Sequence, residues 1–306
     1  MITDPHQRMI PAPLEGVKAC SVRLGHGPWA DLAAALQAHF PQIDRATWLS
    51  RLARGRVLDA DGCPLAPGSP PHAGSLIYYY REVEHEPQVP GIERLLHLDQ
   101  DLAVVDKPAG LPVQPAGRYL RQSLLWRLVQ RLDNPELTPL HRIDRDTSGL
   151  VMFSCRAQTR AIYHRLFAER RIDKRYLALA PLLHQADWPL IRRSRIVRGE
   201  PFFRMREAEG PANSETRITL IGRQNDFGLY ELRPISGRKH QLRVHLAALG
   251  APICGDQVYP WQAERVGTDD QRPLQLLAST LDFVDPISGA ARSFRSPLRL
   301  PLSWPA

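Results

Sequence analysis

The sequence predicts an α+β fold: a mixed, largely antiparallel β-sheet with flanking helices, preceded by a small N-terminal α/β module. Three observations carry this. Strand-like segments rich in Val, Ile, Leu and Tyr outnumber helical ones. They do not alternate strictly with helices, which disfavours a doubly wound parallel sheet. A polar, Pro-rich stretch over residues 85–94 separates two regions that each have a complete pattern of their own.

The first region, residues 1–84, opens with a Pro-rich stretch over residues 1–20 that reads as extended. In WADLAAALQAHF, Leu32, Leu36 and Phe40 recur four apart, which predicts a helix over 29–40. Asp44 is placed to cap a second helix, which Gly55 ends. RVLDADGCPLAP reads as strand, Asp-Gly turn and strand, and GSLIYYYREV as a further strand. The second region, residues 95–306, begins with LLHLDQDLAVVDKP, two strands about a polar turn. Further strands are expected at 149–154, 175–180, 215–222, 228–235 and 274–279, and helices at 122–132, 157–170 and 238–250.

Composition narrows the class. The chain has 306 residues, ample for a buried core, and its 43% hydrophobic and 24% charged content is that of an ordinary globular protein. Forty basic residues against 32 acidic ones leave a net charge of +8, which favours a polyanionic partner. Cys20, Cys63, Cys155 and Cys254 are widely spaced and form no C-x-x-C pair, so neither a zinc knuckle nor a disulfide framework is expected. There is no G-x-G-x-x-G and no Walker loop, so no nucleotide cofactor is expected. The N-terminus lacks a basic-then-apolar leader, and no apolar run approaches the roughly 20 residues that span a bilayer. The cytoplasm is the expected compartment, with no membrane partner.

One segment concentrates the chemistry. In LTPLHRIDRDTSGLVMFSC the polar cluster His141, Arg142, Asp144, Arg145, Asp146 and Thr147 sits at the mouth of an apolar strand. On composition alone this is a solvated loop with capping Asp and Thr. Read chemically, it is a carboxylate among guanidinium groups; neighbouring cations favour the ionised form, which suits a nucleophile or base working without metal. In PISGRKHQLRVHLAALG an amphipathic helix follows a strand, and Arg243 is able to point towards the strand ends. His240 and His245 are five apart, on different sides of a helix, which argues against a metal site.

These segments resemble the RluA family of pseudouridine synthases. HRIDRDTSG is similar to the family's aspartate-bearing signature, and GRKHQLRVHLAALGAPICGD to its later signature with a Gly-Asp at the end. VVDKPAGLPVQP resembles the opening strand and loop, RRIDKRYLALA carries the Lys-x-Tyr that supplies a tyrosine, and LLASTLDFVDP resembles the closing segment. The five pieces occur in family order from about residue 95 onward. Ile143, Ser236, Lys239 and Leu277 depart from the usual residues, and none of them carries a catalytic group.

The resemblance implies an RNA-modifying isomerase with the pseudouridine synthase fold, no cofactor and no metal, acting as a monomer on ribosomal or transfer RNA. It implies that Asp144 is the catalytic carboxylate, that Arg243 pairs with it, and that Tyr176 stacks on the target uracil. Arg142 would enter the space left by the flipped nucleotide. His141, Thr147, Lys174, Arg238, His240 and Gln241 are candidate RNA contacts on the same ground. The N-terminal region resembles, more loosely, a small αL-type RNA-binding module of a ribosomal protein, with Arg45, Arg51, Arg54 and Arg56 as its main basic residues. A degenerate module kept for packing is its alternative. The competing functional readings are a catalytically silent RNA-binding or ribosome-assembly factor, and a glycosidase that releases the base.

Overall fold

The computed structural model describes residues 11–184, 186–259 and 272–300; the first ten residues of the expected extended tail lie outside these. The chain divides into two compact units, Met1–Glu86 and Pro87–Ala306.

In the first unit, β1 (Cys20–Arg23) is followed by α1 (Leu32–His39), α2 (Arg45–Ala53), β2 (Val57–Leu58) and β3 (Leu76–Tyr79), with strand order β1-β3-β2. The Asp31 carboxylate accepts the Ala34 N–H at 2.8 Å, so α1 starts after Trp29 rather than at it. Asp44 caps α2 in the same way through Thr47, at 2.6 Å. Leu32, Leu36, Trp48 and Leu52 bury one face of the two helices against Val22, Val57 and Ile77 of the sheet. Strand β1 begins at the end of the stretch read as an extended tail. The expected hairpin shrinks to the two residues of β2 and one bridge between Leu58 and Pro64. Arg45 pairs with Asp31, while Arg51, Arg54 and Arg56 converge on Glu82 at 3.4, 2.5 and 3.1 Å. Much of the charge expected to meet RNA is therefore countered within the unit.

The second unit is built on β4 (Arg94–Leu98), β5 (Leu102–Lys107), β6 (Thr138–Pro139), β7 (Ser148–Ser154), β8 (Asp173–Pro181), β9 (Leu190–Arg198), β10 (Met205–Ala208), β11 (Ser214–Gln224), β12 (Phe227–Pro234), β13 (Leu276–Val284) and β14 (Ala291–Arg295). These form one sheet in the order β10-β9-β11-β12-β8-β13-β7-β5-β4, with β14 on β13 and β6 on β7. Among the described residues only the β7–β13 pair is parallel, so the sheet is mixed and largely antiparallel, as expected.

Among the described residues, the helices α3 (Leu124–Leu132), α4 (Ala157–Ala168) and α5 (Gln241–Ala248) cover it. The period-2 alternation of the central strands sorts their side chains. Val105, Val151 and Phe153 pack with Leu124 and Leu128 of α3, while Val104, Leu150 and Met152 pack with Tyr163 and Leu166 of α4. Leu242 and Leu246 of α5 pack on Ala178, Ile218, Leu232 and Leu276.

Two sequence expectations are corrected here. The helix expected over 238–250 starts only at Gln241, because His240 takes a left-handed backbone (φ 55°) that ends the preceding loop. Leu190–Arg198, where no strand was expected, form β9, paired to β10 and β11. Its arginines hid the strand pattern, since Arg192 and Arg193 reach Glu207 and Glu215 on the paired strands instead of packing apolar surface.

Candidate active site

The Asp144 loop runs from β6 into β7 and is fixed from below. Lys107, at the end of β5, is fully buried and donates from Nζ to the carbonyls of Pro108 (2.9 Å) and Arg145 (2.8 Å). Burial pulls its pKa down to about 7, against the opposing pull of Asp146 and Asp144. The loop closes with a bond from the Thr147 N–H to the Asp144 carbonyl (3.2 Å). At Gly149 (φ 106°), where β7 meets β13, a Cβ would lie 2.3 Å from the Ala278 carbonyl oxygen. Only glycine lets the two strands approach so closely beside the loop.

Arg243, on α5, is buried and holds three oxygens. Its Nε and Nη2 donate to the two carboxylate oxygens of Asp256 at 2.8 and 2.7 Å, and its Nη1 reaches Asp144 Oδ2 at 3.4 Å. The side chain of Asp256 is fully buried and also accepts the N–H groups of Val258 and Tyr259. Burial works against the Arg243 charge, but the bonds and charge of Asp256, helped by Asp144, raise its pKa. Fully buried ion pairs hold together only when each polar atom is met in this way.

The second oxygen of Asp144 faces His240, whose Nε2 lies 3.9 Å from Oδ1. The Tyr259 hydroxyl accepts the Met205 N–H (2.8 Å) and lies 2.9 Å from His240 Nδ1. With Nδ1 bonded to the Tyr259 hydroxyl, Nε2 is the ring nitrogen left to face Asp144. Burial lowers the His240 pKa while Asp144 opposes the shift.

Asp144, Arg142, Lys174, Tyr176, Arg238, His240 and Arg243 line one cavity of about 1760 Å³. Its walls carry eleven arginines and lysines against four aspartates, and its size exceeds the 300–1,000 Å³ of small-molecule sites. A flexible polyanion is the matching occupant. Tyr176, on β8, packs at the edge of the α5 core; burial and the Asp144 charge push its phenol up, so it stays neutral. Arg142 is exposed at the mouth and makes no ion pair or hydrogen bond among the described residues. Lys174 has its pKa lowered by burial and by Arg170.

Two of the expected RNA contacts, His141 and Gln241, also bond within the protein. His141 Nε2 accepts the Met152 N–H (3.1 Å) and its ring stacks on Phe167. Acting as an acceptor, and with a pKa lowered by burial to about 3, it is neutral. Thr147 is buried. Gln241 is also buried, giving its amide N–H groups to the Glu215 carbonyl and Thr216 Oγ1 and accepting from Ser236 Oγ and the Arg238 N–H. Arg238 is exposed and bonds the Asn213 carbonyl at 3.2 Å. His245 lies within a cage of Ser194, Ser214 and Thr216 hydroxyls, turned to the sheet rather than towards His240.

Sequence reasoning missed Lys107, Asp256 and Tyr259 as functional residues. Lys107 and Asp256 lie inside segments that carried the family resemblance; only a charged residue inside a strand and a Gly-Asp pair marked them. Tyr259 carried no signal.

With this geometry in view, comparison with known proteins gives the class. A sequence model described as RNA pseudouridylate synthase matches residues 101–248. The chain is 33% identical over 223 residues to an uncharacterized RNA pseudouridine synthase of Synechocystis sp., covering 71% of this chain and 75% of the other. It is 30% identical over 223 residues to the dual-specificity RNA pseudouridine synthase RluA of Escherichia coli, covering 69% and 95%. It spans only 32% of the human pseudouridylate synthase RPUSD2, to which it is 32% identical over 183 residues. Among solved structures, human RNA pseudouridylate synthase domain containing 1 superposes with a TM-score of 0.58 at 25% identity, covering 70% of this chain and 86% of that one. The chain belongs to the RNA pseudouridylate synthase family, isomerases of uridine in RNA.

Proposed function

We propose that this chain isomerises particular uridines to pseudouridine in structured RNA, ribosomal RNA first and transfer RNA second, with Asp144 as its catalytic carboxylate. One observation carries the reading. Asp144 stands on the wall of a strongly basic cavity, 3.4 Å from a buried arginine that Asp256 holds rigidly.

The reaction breaks the N1–C1′ bond, turns the base and joins C5 to C1′. Substrate and product are isomers, so no oxidant, leaving group or water is consumed. Positive character builds at C1′ as the glycosidic bond breaks, and a fixed carboxylate stabilises it, attacks C1′ or takes the C2′ proton. Arg243 aims that carboxylate. The uridine reaches it by flipping out of its stack, at a cost of a few kcal/mol. Arg142, free at the mouth, fills the vacated space, where a planar cation stacks on bases and pairs with phosphate. Tyr176 holds the uracil face while the base turns, and water must be kept from the freed base. Lys174 and Arg238 serve the phosphates. The N-terminal module is read as an accessory RNA contact, and the protein as a cytoplasmic monomer.

The test uses Asp144→Asn and RNA from cells lacking the gene. Wild type is expected to convert uridine to pseudouridine, separated by chromatography of digested RNA. Asp144→Asn is expected to form none while binding RNA as before. Release of free uracil with abasic sites would instead mark a glycosidase, and wild-type-like turnover by the variant would remove Asp144 from its role.

A further inference from the structure

The β9–β10 hairpin presents two aromatic rings to solvent. Phe202 is 83% exposed and Phe203 45%, and their rings meet edge to face at 5.7 Å. Such exposure of neighbouring phenylalanines costs solvation free energy and marks a contact surface. The tip is firmly held. The Arg204 N–H donates to the Pro201 carbonyl (2.8 Å), and the Gly199 N–H to the Arg204 carbonyl (3.1 Å). Lys239 Nζ clamps the Phe203 carbonyl at 3.0 Å. Arg204 lies over the Tyr259 ring, 5.5 Å from its centroid, while Arg243 lies over the same ring at 5.3 Å. The tip is thus tied to the groups that hold Asp144, and Phe203 itself lines the cavity.

Its surroundings choose the partner. Arg198, Arg206, Arg238 and Lys239 are exposed around the rings, against one exposed carboxylate at the tip, Glu200. Aromatic faces within a basic rim, continuous with a polyanion cavity, fit the stacking platforms that bind unpaired bases. We propose that Phe202 and Phe203 form a stacking tip that captures an unpaired base of the substrate RNA beside the target uridine. This selects RNA whose flanking nucleotides are single-stranded or easily unstacked. The inference rests on the cavity being the RNA site.

The experiment uses the full chain, wild type and paired substitutions of Phe202 and Phe203, with RNA from cells lacking the gene. Ultraviolet cross-linking with peptide mass mapping is expected to join RNA bases to Phe202 or Phe203. The double Ala variant is expected to keep the wild-type melting profile and to bind about a hundredfold more weakly, roughly tenfold for each lost stack. The double Trp variant is expected to retain affinity and the double Leu variant to lose it. Wild-type affinity in the Leu or Ala variant would overturn the proposal. So would an Ala variant that changes sedimentation from dimer to monomer with RNA affinity intact, since the rings would then join copies of the chain. Cross-links at the rings without any pseudouridine in the wild-type reaction would uphold the tip and sink the assigned activity, so the two failures are distinguishable.

Discussion

Arg243 gives its two best hydrogen bonds, at 2.8 and 2.7 Å, to Asp256, and only its longer 3.4 Å contact to Asp144. Asp256 therefore anchors the guanidinium, and Asp144 borrows its charge without being locked by it. A carboxylate in that position is placed by the guanidinium yet keeps freedom to move.

Asp256→Asn tests the anchor. The amide keeps the shape but loses the charge and one acceptor oxygen, so the fork is no longer matched. The arginine is then free to swing fully onto Asp144 or away from it. We expect turnover to fall about 10²-fold, the size of a misplacement near 1 Å, with RNA affinity within about twofold. Single-turnover pseudouridine formation and RNA binding measure the two quantities. Equal losses in both would show that Asp256 supports the RNA surface and not Asp144.

The legible and illegible parts of this site differ in how far apart the partners lie. Asp144 and Arg142 sit in a short polar cluster whose residue types drew notice, and Tyr176 was marked by the family resemblance. The fold class was legible too, because β5, β7, β8, β11 and β12 carry dense Val, Ile, Leu and Tyr. The pairing partners were not. Lys107 meets a carbonyl 38 residues on, and Arg243 meets Asp144 across 99 residues. Periodicity has no access to such distances. Gln241 looks like a surface polar residue in the sequence, and only the closing of neighbouring strands shows that its amide is already bonded within the protein. Strand β9 escaped because its charges are answered across the sheet by Glu207 and Glu215.

Gly149→Ala tests the strand junction beside the Asp144 loop. The added methyl would sit 2.3 Å from the Ala278 carbonyl oxygen, on a backbone with φ 106° that L residues rarely adopt. Both clash and strain are relieved only by parting β7 from β13. We expect a loss of at least about 2 kcal/mol, read from urea unfolding of the full chain. A loss below about 0.5 kcal/mol would mean that the junction yields easily.

Lys107→Met keeps length and apolar packing but removes both donors from beneath the loop. The Arg145 and Pro108 carbonyls are left unpaired, a cost of about 1–3 kcal/mol. Activity is expected to fall more steeply than RNA binding, because the loop that carries Asp144 loses its floor. There is also a pH signature. The native pKa of about 7 lies below the unfolded value of 10.5. Between the two the unfolded chain holds the extra proton, so Lys107 makes stability rise with pH across that window. Unfolding curves over the window are expected to be flatter for the variant; an unchanged slope would show that Lys107 keeps its proton throughout.

His245 supplies the acid-side counterpart. Its ring lies among three hydroxyls, and burial lowers its pKa from 6.5 to about 4. Between those values the unfolded chain binds a proton that the folded chain refuses. Stability is therefore full above about pH 6.5 and falls as the pH drops towards 4. His141, held at about 3, adds a slope of the same sign, so replacing one ring leaves part of the effect. His245→Gln is expected to melt lower than wild type near neutral pH, since the amide refills the hydroxyl cage imperfectly. On going from about pH 7.5 to about pH 5 it is expected to lose less of its melting temperature than wild type does. Thermal melts of the full chain across that range decide the matter. A variant whose melting temperature falls as steeply as wild type would show that the cage accepts the imidazolium.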